Sequence, residues 1–347
     1  MKKKIILWGT LALALLLAVG VFSVYQGYKN TLDNMHVGED EEDDRPKETE
    51  KELEEKFKDP FAVLLYGIDQ REDSSDGGRP DTLMLALIDS NDKKVNLVSI
   101  PRDSLVDIPG RSQNKINHSF SYGGVQLTMQ TIEEWLNIPL YGYVAIDFKG
   151  FEELVDIVGG VDVYVDRTIQ YDDPMDGTHI RLEEGQQVLD GKNALDFVRA
   201  RLDNRGSRYY TSDYQRMERQ QLVLKELGRE IVSLSSLPRV FSMMNAVGDN
   251  VSTSLTPDEL DFLVRSFYNF NMSNLETTSI EGEGRTINGV SFEVVPQEEV
   301  DRINEHATNF INRIPTPIKT ENDATDTEDP TGEASEDGNV AADGNRG

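Results

Sequence analysis

The chain has 347 residues, enough for one large domain or two small ones, and no cysteine, which excludes disulfides and thiolate metal sites. Thirty-five Lys and Arg stand against 63 Asp and Glu, a formal net charge of -28. That balance excludes nucleic acid as a natural partner, and any anionic ligand needs a locally basic pocket.

After Met1 to Lys4 comes an uncharged apolar stretch, Ile5 to Tyr25, of about the length that crosses a bilayer core as a helix. The lysines ahead of it predict a cytoplasmic end at 1–4, a signal-anchor helix at 5–25, and everything later outside the cell. A cleaved signal peptide has a shorter apolar region ending at a small-residue site, so a retained anchor is expected. Residues 26–58 read as an acidic linker, because "GEDEEDDRPKETEKELEEK" has too little apolar surface to offset ordering entropy. Residues 314–347, with "ENDATDTEDPTGEASEDGN", read as an acidic disordered tail for the same reason.

Between them, 59–313 has globular composition. "AVLLYG", "LMLALID" and "VNLVSI" are short apolar strands bounded by turn residues, and the continuous run in the second predicts cover on both faces of a sheet. Val125, Met129, Ile132 and Leu136 recur at helical spacing in "GVQLTMQTIEEWLN", and "FKGFEELVDIVG" repeats the pattern until Gly159 and Gly160 stop it. "GVDVYVD" is a further strand, and Thr168 to Glu184, with Asp-Asp-Pro and Asp-Gly, reads as a loop. A long helix opens at Ser212 or Asp213 in "SDYQRMERQQLVLKELGREIV". Thr256, Pro257 and Glu259 form a capping-box helix start, and Asn288-Gly289 marks a hairpin. The fold class is therefore α/β, a layered α/β/α domain with a central mixed sheet, preceded by one transmembrane helix.

Charged residues bracket the second and third strands. In a hairpin the start of one strand and the end of the next share an edge, so Asp81 and Arg102 are expected neighbours, with Arg79 and Asp69 at the same edge. Polar groups beyond the ends of buried strands mark the usual ligand position in such sheets. A second cluster, Arg199, Arg201, Arg205, Arg208, Arg216 and Arg219, runs against the acidic trend. Asp213, Arg216 and Gln220 share one helix face near its N-terminus, where the dipole attracts anions, and the arginine fork suits phosphate. Carboxylates among these arginines either neutralise them in an ion-pair network or, as Asp69 and Asp81, hold a divalent cation that joins them in screening a pyrophosphate.

Seven ordered blocks, "LLYGIDQR", "GGRPDTLMLALID", "VSIPRDSLVDIPG", "KINHSFSYGG", "VDIVGGVDVYVD", "LDGKNALDFVRARLD" and "SDYQRMERQQ", make the chain resemble the LytR-CpsA-Psr family of cell-wall glycopolymer ligases. The resemblance is strong over 59–232 and weak over 233–313. Two departures are Pro80, where serine is common, and Gln187, where histidine is often found; neither removes a charge. The resemblance implies a phosphotransferase that moves an anionic glycopolymer, with wall teichoic acid favoured, from a polyprenyl-pyrophosphate carrier to a peptidoglycan sugar hydroxyl. It implies Asp69 and Asp81 as ligands of Mg2+ or Mn2+. It implies Arg79, Arg102, Arg199, Arg201 and Arg219 as pyrophosphate contacts, with Arg216 and Gln220 assisting. The implied partners are the lipid-linked polymer, peptidoglycan and the membrane, and the expected location is the cell membrane of a Gram-positive-type envelope, single-pass with the catalytic domain outside.

The acceptor hydroxyl must lose a proton, and Asp213 is the first candidate base, with Asp103 second, beside Arg102 in the catalytic set. Lys115, Asn117 and His118 are candidates for contact with sugar or phosphate. The rival readings are a hydrolase that releases the polymer to water, and a non-catalytic sensor or attenuator that binds the lipid-linked precursor.

Overall fold

The computed structural model describes residues 25–37, 47–68, 79–173, 178–233 and 237–314. Of the expected anchor at 5–25, residues 5–24 lie outside the described residues, as do Asp69 and the tail beyond Ile314. Among those described, no helix is long and apolar enough to cross a membrane.

Helix α1 (residues 25–35) and helix α2 (Glu50–Lys56) precede strands β1 (Phe61–Ile68), β2 (Pro80–Asp89) and β3 (Lys94–Ile100). A small ribbon, β4 (Leu105–Val106) with β5 (Asn114–Lys115), leads into helix α3 (His118–Leu136), strand β6 (Leu140–Asp147) and helix α4 (Phe148–Val158). Strands β7 (Val161–Val165), β8 (Ile169–Asp173), β9 (Thr178–Leu182) and β10 (Gly185–Leu189) follow, then helices α5 (Gly191–Arg199), α6 (Asp213–Ser233) and α7 (Leu237–Val247). Strand β11 (Val251–Thr253), helix α8 (Pro257–Ser266), strands β12 (Leu275–Ser279), β13 (Glu283–Ile287) and β14 (Val290–Val294), and helix α9 (Gln297–Ile311) complete the order.

The central sheet is mixed and six-stranded, in the order β11-β6-β1-β2-β3-β12. β1, β2 and β3 pair antiparallel in succession, β2 and β3 through a tight turn at 90–93, while β6 beside β1 and β12 beside β3 run parallel and need helical crossovers. One face packs Leu64, Tyr66, Leu83 and Leu85 against α3 and α9, with Ile132, Leu136 and Ile303 buried between them. Over the other face lie α4, α5 and α6, whose own core with β7 and β10 is built on Val155, Phe197 and Val223. The expected α/β layers with a central mixed sheet are present.

Three local expectations have clear outcomes. The Thr256 hydroxyl and the Glu259 carboxylate exchange capping bonds with each other's N–H groups, at 3.2 and 2.8 Å. Asn288 and Gly289 turn the β13–β14 hairpin, both at positive φ (51° and 81°), as a tight two-residue turn requires. The segment from Thr168 to Glu184, expected as a loop, instead contains the β8–β9 hairpin, because Ile169, Ile180 and Leu182 alternate onto the core.

The linker expectation for 26–58 also needs correction. Tyr25, Tyr28, Leu32 and Met35 fall at helical spacing and form an apolar stripe that the overall acidity conceals. Tyr28 and Leu32 are fully buried, and the Tyr28 ring stacks on Phe241 at 3.9 Å. Burying one such leucine stabilises by about 1.5–3 kcal/mol. Lys29 reaches Asp261 of α8 at 3.0 Å, and α2 buries Leu53, with Phe57 just beyond its end. The folded unit therefore begins well before residue 59.

Candidate functional site

Strand alternation sets the floor of a cavity. With Leu64, Tyr66, Leu83 and Leu85 given to the α3–α9 side, the opposite face presents alternate residues of β1, β2 and β6. The register aligns Met84, Leu65 and Val144 in one row and Thr82, Gly67 and Ile146 in the next. All six line a cavity of about 440 Å³, whose other walls include Phe148, Phe151 and Leu154 of α4, and Leu195 and Val198 of α5. Helix α6 contributes Arg216, Gln220, Val223, Leu224 and Leu227, spaced as one helical face that is polar in its first two turns and apolar beyond. A second cavity, about 350 Å³, shares Val144, Leu154 and Val251 with the first and extends to Met35 of α1 and to α7 and α8.

A β-bulge delivers the carboxylate at the polar end. Gly67 pairs with Thr82 but Ile68 pairs with Pro80, so Asp81 has no opposite residue. The extra residue re-aims its side chain into the cavity lining, whereas strict alternation would point it to the core beside Leu83. Proline is tolerated at this first strand position, which accounts for Pro80.

Arg102, just past the end of β3, donates from Nη1 to Asp81 Oδ1. Its Nε is buried and has no hydrogen-bond partner among the described residues, an orphaned donor at the head of the cavity. Arg216 is 6% exposed, with Nη2 at 2.7 Å from Asp213 Oδ1. Burial, and then the neighbouring Arg102, hold its pKa below the usual arginine value, with Arg201 adding to the effect and Asp213 opposing it. Arg199 lies 4.1 Å from the Phe148 ring centroid, and Arg201 completes the lining. Asp81, Arg102, Arg199, Arg201, Arg216 and Gln220 thus meet at one cavity. Clustered cations with low-dielectric walls concentrate a field that attracts an anion.

Other expected site residues stand outside the lining. Arg219 turns to Asp166, donating from Nε at 2.9 Å and Nη2 at 3.0 Å, and reaches the Thr211 hydroxyl at 3.3 Å. Because the Thr211 N–H donates to the Arg201 carbonyl at 2.9 Å, Arg219 braces the loop that carries Arg201. Arg79 Nη1 lies 3.1 Å from His118 Nε2. Asp213 holds Arg216, and Asp103 holds Lys115 at 3.0 Å. The Asn117 N–H donates to the Arg102 carbonyl at 3.2 Å, which sets His118 directly beside that strand end. Burial, then Arg79 and Lys115, lower the His118 pKa, so the ring is neutral at pH 7.

Glu293 and Tyr214 carry no signal in the sequence that marks them for the site. The β14 residue Glu293 is buried, accepts a hydrogen bond from the Tyr214 hydroxyl, and donates its N–H to the Asp103 carbonyl at 2.9 Å. Burial raises its pKa; Asp213 and Asp103 push the same way and Tyr214 opposes. The Asn-Gly turn identifies this strand, but only the fold reveals that it docks on the Asp103–Ser104 segment.

Two carboxylates of the described residues line the first cavity. Asp147 is committed to capping α4 through the Gly150 N–H at 2.7 Å, and Asp81 is held by Arg102. Among the described residues no group of three or more His, Asp or Glu side chains is placed to hold a metal. The donor chemistry at Asp81, one carboxylate beside a prospective anion, suits a hard cation that takes its remaining ligands from phosphate and water.

The LytR_cpsA_psr family model matches residues 22–309. The polyisoprenyl-teichoic acid–peptidoglycan teichoic acid transferase TagU of Oceanobacillus iheyensis is 36% identical over 307 residues, 86% of this chain and 91% of that protein. Among solved structures, Bacillus subtilis TagV matches with a TM-score of 0.63 at 27% identity, over 74% of this chain and 99% of the other. The LytR-CPS2A-psr family protein YwtF (TagT) with bound octaprenyl pyrophosphate lipid matches at a TM-score of 0.55 and 27% identity, covering 77% of this chain and 95% of that one.

Proposed function

Since the chain belongs to the LytR-CpsA-Psr family, we propose that it is a phosphotransferase of cell-wall assembly that moves wall teichoic acid from a polyprenyl-pyrophosphate carrier to a peptidoglycan sugar hydroxyl. The observation that carries this reading is one cavity with an apolar body and a cationic end, the shape of a lipid bearing a pyrophosphate. The lipid tail lies over Leu65, Met84 and Val144, and the contiguous second cavity extends its path toward α1.

The acceptor oxygen bonds to the phosphorus that bears the polymer, the bond from that phosphorus to the bridging oxygen breaks, and polyprenyl phosphate leaves. Arg102, Arg201 and Arg216 neutralise charge on the phosphates, and the orphaned Arg102 Nε donates to a phosphate oxygen. Such positioning and charge stabilisation are most of what phosphoryl transfer asks of a protein. The acceptor proton passes to a carboxylate, with Asp213 first and Asp103 second. Arg199 and Gln220 complete the pyrophosphate contacts, while Arg219 and Arg79 act by positioning the Arg201 loop and His118.

Asp81, with Asp69, would hold Mg2+ or Mn2+, which supplies further neutralisation of the pyrophosphate. The apolar run at 5–25 anchors the protein in the cell membrane as a single span, with the catalytic domain on the extracellular side. Purified full-length protein incubated with a labelled lipid-linked donor and peptidoglycan fragments tests the reading. Label joined to the fragments supports it. Label released only as free polymer identifies a hydrolase, and label retained on the lipid identifies a binder.

A further inference from the structure

Beyond the cavity mouth lies a cluster in which Arg111 and Tyr122 have no part in the transfer chemistry. Arg111, in the turn between β4 and β5, places its guanidinium 5.3 Å from the centroid of the Tyr122 ring. The Asn114 amide donates to the Tyr122 hydroxyl at 2.8 Å and so fixes the direction of a ring that is 40% exposed. The His118 ring meets Tyr122 edge-on, with centroids 6.2 Å apart, and Arg79 reaches His118 at 3.1 Å. Arg79 is two residues from Asp81, and His118 follows Asn117, which bonds the Arg102 backbone. The chain of contacts Arg111, Tyr122, His118, Arg79 therefore runs from open surface to the cationic end of the cavity.

This composition has a chemical meaning. In a protein of net charge -28, an exposed arginine with no carboxylate within 4.0 Å among the described residues, held over an aromatic ring, is set against the trend. An aromatic face packs against the C–H surface of sugars or polyols, and a guanidinium pairs with phosphate diesters. His118 stays neutral beside Arg79 and adds hydrogen-bonding capacity without an acidic charge. A neutral glycan needs no such cations, whereas a chain bearing a phosphate on each repeat does.

We propose that Arg111 and Tyr122 form a second binding subsite, which holds the phosphodiester-linked portion of the donor polymer as it leaves the pyrophosphate end. The proposal rests on the transferase reading above for its donor, and it adds the claim that the enzyme senses polymer beyond the first sugars. Long donors then bind more tightly than short ones, and salt, which screens exposed charge pairs, erodes the difference.

The test compares full-length wild type, Arg111→Ala, Tyr122→Ala and the double variant in detergent. Two probes are used: a lipid-free fluorescent oligomer of glycerol phosphate, read by direct binding, and a pair of polyprenyl-pyrophosphate donors, with and without phosphodiester repeats, read by transfer. Wild type binds the oligomer, the double variant loses about tenfold in affinity and raises the KM of the long donor about as much, and the short donor changes less than about twofold. Equal effects on both donors, a change confined to the KM of the peptidoglycan acceptor, or no binding of the oligomer by wild type overturns the subsite. Wild type that binds the oligomer yet transfers from neither donor contradicts the transferase reading and leaves the subsite standing.

Discussion

Arg102→Ala is the sharpest perturbation of the site. Of the guanidinium's five N–H donors, one on Nη1 is given to Asp81, and the one on Nε is buried with no partner among the described residues. The alanine variant removes the orphaned donor and leaves Asp81 uncompensated in the cavity lining. Loss of one preorganised donor to a developing oxyanion slows comparable reactions by about 100- to 1000-fold, so kcat/KM for transfer should fall by at least about 100-fold. Stability should change little, because loss of the pair with Asp81, whose side chain is 34% exposed, is offset by relief of the repulsion between Arg102 and Arg216. Arg102→Lys restores the charge but not the fork, and should recover about tenfold of the loss. The assay is transfer of labelled polymer to peptidoglycan fragments, with circular dichroism and thermal unfolding as the check on folding. Transfer by folded Arg102→Ala within threefold of wild type would refute the assignment.

Three other outcomes follow from the same geometry. Gly67 sits in the cavity floor, and a Cβ there meets Thr82 at 3.6 Å, an ordinary contact. Gly67→Ala should therefore fold normally, whereas Gly67→Leu should displace about two tail methylenes and weaken binding of a polyprenyl phosphate at least tenfold, measured by fluorescent-lipid titration. Burial, reinforced by Asp213 and Asp103, raises the folded-state pKa of Glu293, so its stabilising proton is present at low pH and lost as pH rises through that pKa. Glu293→Gln, which still accepts the Tyr214 hydrogen bond, should gain stability relative to wild type between pH 4 and pH 7 in urea unfolding; a difference independent of pH would contradict this. Chelation by EDTA should lower transfer by wild type, and Asp81→Asn should be slow and unresponsive to added Mg2+; full activity of wild type in EDTA would remove the cation from the account.

How much of the site was legible follows from which forces were local. Hairpin geometry alone puts Asp81 and Arg102 at one edge, because strand pairing is set by adjacent segments, and the two side chains are paired in the structure. Helical spacing likewise puts Arg216 and Gln220 on one face of α6. The bulge at Asp81 was not legible, since a one-residue shift in register leaves no mark on an apolar strand pattern. Arg219 looked like its neighbours in the arginine cluster, and only the packing of α6 on β7 turns it to Asp166. The burial of α1 was hidden by acidic residues further along the same segment, which dominate composition while Tyr28, Leu32 and Met35 form the stripe. Glu293 lies about 190 residues from Asp103 in the chain, and no local pattern specifies so distant a contact.

The central claim is that one apolar cavity receives a lipid whose pyrophosphate is gripped by arginines from three separate parts of the chain. A crystal structure of the protein soaked with a polyprenyl pyrophosphate and a divalent cation tests it most directly. The account predicts phosphate oxygens within hydrogen-bonding distance of Arg102, Arg201 and Arg216, with the tail over Leu65 and Met84. A headgroup bound away from these arginines, or a tail lying outside the cavity, would contradict it.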